Sequence, residues 1–297
     1  MKNETPQRPS VSPTDPFEHR EYQLNWGKDD LEQRIGFRGG RFTSANKLLT
    51  FLSGAVLTSA FYALITFALK PIPQWRWLSD MFLDRGPTQY ATMVLFFWAV
   101  SILFVKWRKL CLQRKALALA AIPSQADFIL NPDSTPPVLE RIHTLVDSTS
   151  HFLLLNRIER ALSNLKNIGQ ISDVSNILQT QAEYDEEQVS SSYSLVNGFV
   201  WAIPVLGFIG TVLGLSVAIG SFSTTLKAGG NMDAIRGSLE SVTQGLATAF
   251  ETTLVALVCA LILQLLITYL QGRESEFLDD CNDYCHANVV SRLRLSR

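Results

Sequence analysis

One carboxylate stands alone in an apolar setting. The stretch Ser241 to Gly272 of this 297-residue chain carries a single charged side chain, Glu251. A carboxylate inside a membrane-spanning helix is costly, so it signals a function or a specific partner. Burial favours the neutral form, which makes a protonated, hydrogen-bonded Glu251 the expected resting state. Three roles are open to it: a proton-linked one, a structural bond to a neighbouring helix, or a position at the interface where the carboxylate reaches water. At helical spacing it shares a stripe with Gln244, Thr248 and Val255.

Other reactive residues are sparse. The chain has four cysteines, Cys111, Cys259, Cys281 and Cys285, scattered in a way that suggests no disulfide framework. Cys281, Cys285 and His286 form a C-x-x-x-C-H pattern, one residue longer than a haem attachment motif, with only Asp279, Asp280 and Asp283 nearby as further ligands. A surface helix with incidental thiols is expected there, with no metal and no cofactor. His143, His151 and His286 all lie in polar segments, and no metal triad, nucleophile elbow or phosphate loop is present. The sequence therefore reads as a non-enzyme. Its formal net charge of −1 gives no general attraction to nucleic acid.

The elements that must hold Glu251 follow from the distribution of apolar residues. Leu48–Leu69, Gln89–Val105 and Asn197–Leu226 contain no charged residue. A helix needs roughly 20 apolar residues to cross the hydrocarbon core. The expected fold is all-α and polytopic, with four transmembrane helices at 48–69, 89–107, 197–223 and 241–270. Loops at 70–88 and 224–240 join them on one side. A polar N-terminal region, 1–40, carries Pro6, Pro9, Pro13 and Pro16, lacks the apolar core of a signal peptide, and reads as disordered to about Tyr22.

Basic residues set the orientation. Arg34, Arg38, Arg41 and Lys47 precede the first span, and Lys106, Arg108, Lys109, Arg114 and Lys115 follow the second. The positive-inside rule then places both termini in the cytoplasm and 70–88 outside. Trp75, Trp77 and Tyr90 suit interface anchors on the outer side, Trp98 and Trp107 toward the inner. Between the second and third spans, Pro123, Pro132, Pro136 and Pro137 must break any helix begun at Trp107. Leu139, Ile142, Leu145, Phe152, Leu155, Ile158 and Leu162 then recur at spacings of three and four, which predicts amphipathic helices in a cytoplasmic domain, 108–196. That domain is either an extension of the membrane helices or a docking surface. Residues 271–297 read as a cytoplasmic continuation of the fourth helix.

Small residues organise the third span. Gly207, Gly210, Thr211, Gly214, Ala218 and Ser221 fall on one face at steps of three and four, a face that lets another backbone approach closely. Pro204 removes a donor near the start of the span. The third span therefore reads Pro204-x-Leu206-Gly207-x-x-Gly210-Thr211-Val212-x-Gly214. The fourth contains Gly245-Leu246-Ala247-Thr248-Ala249-Phe250-Glu251-Thr252-Thr253-Leu254. Together the two motifs, across about 190–285, resemble the MotA/TolQ/ExbB proton-channel family.

The resemblance implies a homopentamer in the bacterial inner membrane, its third and fourth spans lining a lumen. The lumen would enclose an ExbD, TolR or MotB-like partner with one span and a membrane aspartate, and proton flow past that aspartate would drive motion. It places Thr211 and Thr253 at the family's lumen-facing threonines, with Thr248 and Thr252 in the same motif, and assigns helix packing to Pro204, Gly207, Gly210 and Gly214. A hydroxyl can hold a water or a protonated carboxyl without fixed charge, or bond back to a helix carbonyl. ExbB and TolQ carry a glutamate five residues before the second threonine, where this chain has Thr248. Glu251 lies roughly 200° from Thr253 at about 100° per residue, so the two cannot both point into one narrow lumen. The extra first span is MotA-like; the fourth-span wording is closer to ExbB and TolQ. The resemblance implies a proton-driven stator subunit, and the alternative is a non-conducting scaffold of the same fold.

Overall fold

The computed structural model describes residues 24–34, 36–37, 40, 42–119, 121–122, 128–131, 134–163, 171–227 and 232–294. The predicted N-terminal disorder and the breaks at Pro123 and Pro132 lie outside these residues. The described chain is helical: α1 Trp26–Asp29, α2 Leu31–Arg34, α3 Lys47–Leu64, α4 Arg76–Leu83, α5 Pro87–Leu117, α6 Thr135–Leu145, α7 Leu153–Ser163, α8 Ile171–Ser191, α9 Ser194–Lys227 and α10 Met232–Cys285. Four stretches are long and apolar enough to cross a membrane, within Lys47–Leu69, Pro87–Leu117, Asp173–Thr224 and Ile235–Val290. The chain is a multi-pass membrane protein.

Local chemistry explains the boundaries. Asn46 caps α3, its side-chain oxygen accepting from the Leu48 and Leu49 N–H groups. Pro87 opens α5, where its missing N–H costs nothing. α10 has no proline in 54 residues, about 80 Å of helix at 1.5 Å per residue, far beyond a hydrocarbon core of roughly 30 Å. It must therefore project into water. The helices also outrun the apolar blocks: residues 224–227 and 232–240, expected as loop, are helical, and α4 occupies much of 70–88.

The chain divides into two compact units, 1–29, 113–183 and 279–297 in one, 30–112 and 184–278 in the other. In the first, Trp26 is fully buried, stacked on His151 and edge-on to Phe152, while the Asp147 carboxylate accepts from the Trp26 and Gly27 N–H groups. Single backbone bridges tie Leu24 to Val146 and Leu130 to Leu293. Cys281 and Cys285 are buried in this unit, and no metal-binding group is found among the described residues.

The second unit holds α3, α9 and most of α5 and α10. Its α9–α10 seam is closely packed. A Cβ built on Gly214 would lie 2.8 Å from the Gly245 carbonyl oxygen, and one on Gly245 would lie 2.7 Å from that of Gly214. One on Gly207 would meet Ala256 at 2.6 Å. The small-residue face expected to admit another backbone is thus covered by the chain's own fourth span. Exposed apolar side chains such as Trp201, Phe208, Val217, Phe250 and Leu261 point away from the seam.

Because backbone, not a movable side chain, occupies the space beside Gly214 and Gly245, either Gly→Ala substitution should destabilise the protein by about 1–3 kcal/mol. Gly220→Ala, where nothing lies within 4 Å, should be neutral or stabilise by up to about 1 kcal/mol. Thermal unfolding in mild detergent checks this; equal melting of all three variants would contradict the seam.

At the other end of α5, two lysines lie inside the protein. Lys106 Nζ sits 3.2 Å from Glu274 Oε1, 2.8 Å from Ser192 Oγ and 4.2 Å from the centre of the Tyr193 ring. Lys109 Nζ sits 2.6 Å from Glu32 Oε2 and 3.9 Å from Asp30. Part of the basic cluster that set the expected orientation is therefore spent on internal pairs.

Candidate functional site

The residues singled out in the third and fourth spans separate into distinct environments. Thr252 is buried, its hydroxyl donating to the carbonyls of Thr248 and Ala249, and it packs against Gly210 together with Thr88 of α5. It serves the seam. Thr253 is half-buried and donates both to Ala249 of its own helix and, at 3.3 Å, to the Gly207 carbonyl of α9. Thr211, one turn along α9, is half-buried and donates to Phe208 at 2.7 Å. Thr248 donates to Gln244 and lines a cleft. Pro204 lies within α9, which runs through it.

Glu251 has a partner that sequence reading missed. Arg85, in the turn between α4 and α5, donates through Nε at 2.7 Å to one carboxylate oxygen and through NH2 at 3.2 Å to the other. This bidentate fork is the strong form of a charge-assisted bond, and it joins Glu251 to the α4–α5 turn. Side-chain exposures of 15% for Arg85 and 30% for Glu251 place the pair at a partly wet edge, between the surface and buried regimes. Glu251 thus meets the α4–α5 turn while Thr253 meets α9.

Beside the pair lies a cleft of about 380 Å³, lined by Asp84, Arg85, Thr88, Ser241, Gln244 and Thr248 over a glycine floor of Gly210, Gly214 and Gly245. Nearby on α5, Gln89 is 1% exposed and both its amide atoms lack a hydrogen-bond partner among the described residues. One signal for Arg85 was present in the sequence: a basic residue immediately before Gly86-Pro87, close to a membrane face, and one membrane acid. Nothing local linked the two, because 166 residues separate them.

The family description MotA/TolQ/ExbB proton channel family matches residues 151–282. That segment contains all of α9 and the seam half of α10, and the match supports membership of the MotA/TolQ/ExbB proton channel family. No curated protein and no solved structure matches the chain.

Proposed function

We propose that this chain is the channel-forming subunit of a proton-driven complex of the bacterial inner membrane, coupling proton-motive force to mechanical work. It assembles as a homopentamer around a single-span partner of the ExbD, TolR or MotB kind, with both termini cytoplasmic, and carries no catalytic centre or cofactor. One observation carries this reading. Within the family-matched segment, Thr211 and Thr253 are half-exposed hydroxyls whose exposed neighbours one helical turn away, Phe208 and Leu215 on α9 and Phe250 and Leu257 on α10, are apolar. Such hydroxyls suit the transient hydration of a partner's carboxyl as it gains and loses a proton. Glu251, fixed by Arg85, holds the α4–α5 turn against α10 and leaves the pathway to the threonines.

A scaffold of the same fold is favoured by a different observation: both hydroxyls and the Glu251 carboxylate already have partners within the chain. Reconstitution separates the two. The chain, co-expressed with the product of a neighbouring gene encoding one span with a membrane aspartate, should co-purify as a pentamer. In liposomes the complex should pass protons under an imposed potential. A pentamer with bound partner and no flux would establish the scaffold; no pentamer and no partner would overturn both.

A further inference from the structure

A second cleft, of about 260 Å³, opens at the end of the bundle where α3 and α9 begin, lined by Ser44, Lys47, Gln188, Ser191 and Ser194 among others. Ser192 apart, its polar lining is unengaged. The side chains of Ser44, Lys47, Ser191 and Ser194 make no hydrogen bond or ion pair to any described residue, and Gln188 Oε1 is buried without a partner. The buried lysines stand immediately behind. Lys106 donates to Ser192 Oγ at 2.8 Å and Lys109 to the Ser44 carbonyl at 2.7 Å; both of these residues line the cleft.

Glu274 balances Lys106, and Glu32 with Asp30 balances Lys109. Of the three lysines at this cleft, Lys47 has no counter-charge among the described residues. An ammonium group and three hydroxyls, all free to donate, suit a phosphate oxygen.

One helical turn from the cleft the chemistry changes. Lys47 leads to Phe51, Ile102 to Trp98 and Leu195 to Phe199. These three rings form a row with centroids 4.9 Å and 4.8 Å apart. Beside Phe199, a Cβ built on Gly198 meets nothing within 4 Å, so the surface there is open. Donors at the end of a span followed by an aromatic track match the outline of a phospholipid: a charged phosphodiester, then hydrocarbon.

We propose that this cleft binds the phosphate of a membrane phospholipid, with Lys47, Ser44, Ser191 and Ser194 on the phosphate and an acyl chain along Phe51 and Trp98, over the surface left open at Gly198. With a single uncompensated cation, the site prefers a headgroup that adds no positive charge.

Native mass spectrometry on the delipidated, full-length protein tests this, using phosphatidylglycerol, phosphatidylcholine and inorganic phosphate as separate probes. Phosphatidylglycerol should bind more tightly than phosphatidylcholine. Lys47→Gln should weaken it about tenfold or more, the scale of one lost charge-assisted hydrogen bond. Gly198→Leu, which fills the open track without disturbing a contact, should weaken the lipid and leave inorganic phosphate unaffected. Lys115→Gln, an exposed cation away from the cleft, should change nothing. Binding of inorganic phosphate without lipid would make the ligand a soluble phosphate and overturn the lipid assignment. Equal retention of both lipids by wild type and Lys47→Gln would mean nonspecific coating, and the site would fall.

Discussion

Lys109→Met should prevent accumulation of folded protein. Lys109 Nζ bonds Glu32 at 2.6 Å and the Ser44 carbonyl at 2.7 Å. Glu32 is fully buried and also accepts from the Asn46 and Gly40 N–H groups. It therefore ties the segment before α3 to α5. Methionine approximates the volume but leaves Glu32 and Asp30 buried without that ammonium. Removing one partner of a buried pair costs about 3–5 kcal/mol, a large share of a total stability of roughly 5–15 kcal/mol. Adding Glu32→Gln should recover part of the loss, because the uncompensated charge disappears while the amide oxygen can still accept from one N–H. Lys115→Met, at an exposed position, should stay within about 0.5 kcal/mol of wild type. Size-exclusion yield and melting in detergent provide the readout. A Lys109→Met protein that melts like wild type would show that water, not Lys109, neutralises this corner.

That lysine illustrates where sequence reading stops. The cluster from Lys106 to Lys115 was legible as a basic flank, and the apolar blocks gave the four spans, because both signals are local. Burial of Lys106 and Lys109 was not legible, since it depends on Glu274 and Glu32, acids 168 and 77 residues away. These distances follow from the numbering, 274 − 106 and 109 − 32.

The small-residue face was legible by its period, yet its partner could not be deduced. A groove that admits a backbone looks the same whether the visitor belongs to the same chain or another, and here Gly245 and Ala256 of α10 fill it. Glu251 followed the same pattern. Its rarity marked it, its 200° offset from Thr253 separated it from the threonines, and only folding supplied Arg85.

Thr211→Val should lower proton flux about tenfold to hundredfold while leaving assembly intact, and Glu251→Gln should lower stability while leaving flux per pentamer near wild type. A hydroxyl lost from a site that hydrates a transient charge costs about 1.5–3 kcal/mol, which is that range of rate if the charge appears at the barrier. Thr211 is the cleaner probe, because among the described residues its hydroxyl bonds only to Phe208 of its own helix. Thr253→Val should show the same loss of flux plus a small loss of stability. Its bond to the Gly207 carbonyl joins two helices, and such bonds average roughly 0.6 kcal/mol in membrane proteins. Glu251→Gln keeps one acceptor for Arg85 but removes the charge. If the pair holds the α4–α5 turn, Glu251→Gln and Arg85→Gln should each lower melting, and the double variant should lose less than their sum. The coupling should be about 1–3 kcal/mol, the range for groups in direct contact, reduced toward its lower end by the pair's partial exposure. Flux per folded pentamer should then stay near wild type in both Glu251 and Arg85 variants. Flux measured in liposomes with the partner, normalised to pentamer content, decides between the residues. Undiminished flux from both threonine variants would remove them from the pathway, and collapse of flux in a stable Glu251→Gln pentamer would return the proton to Glu251.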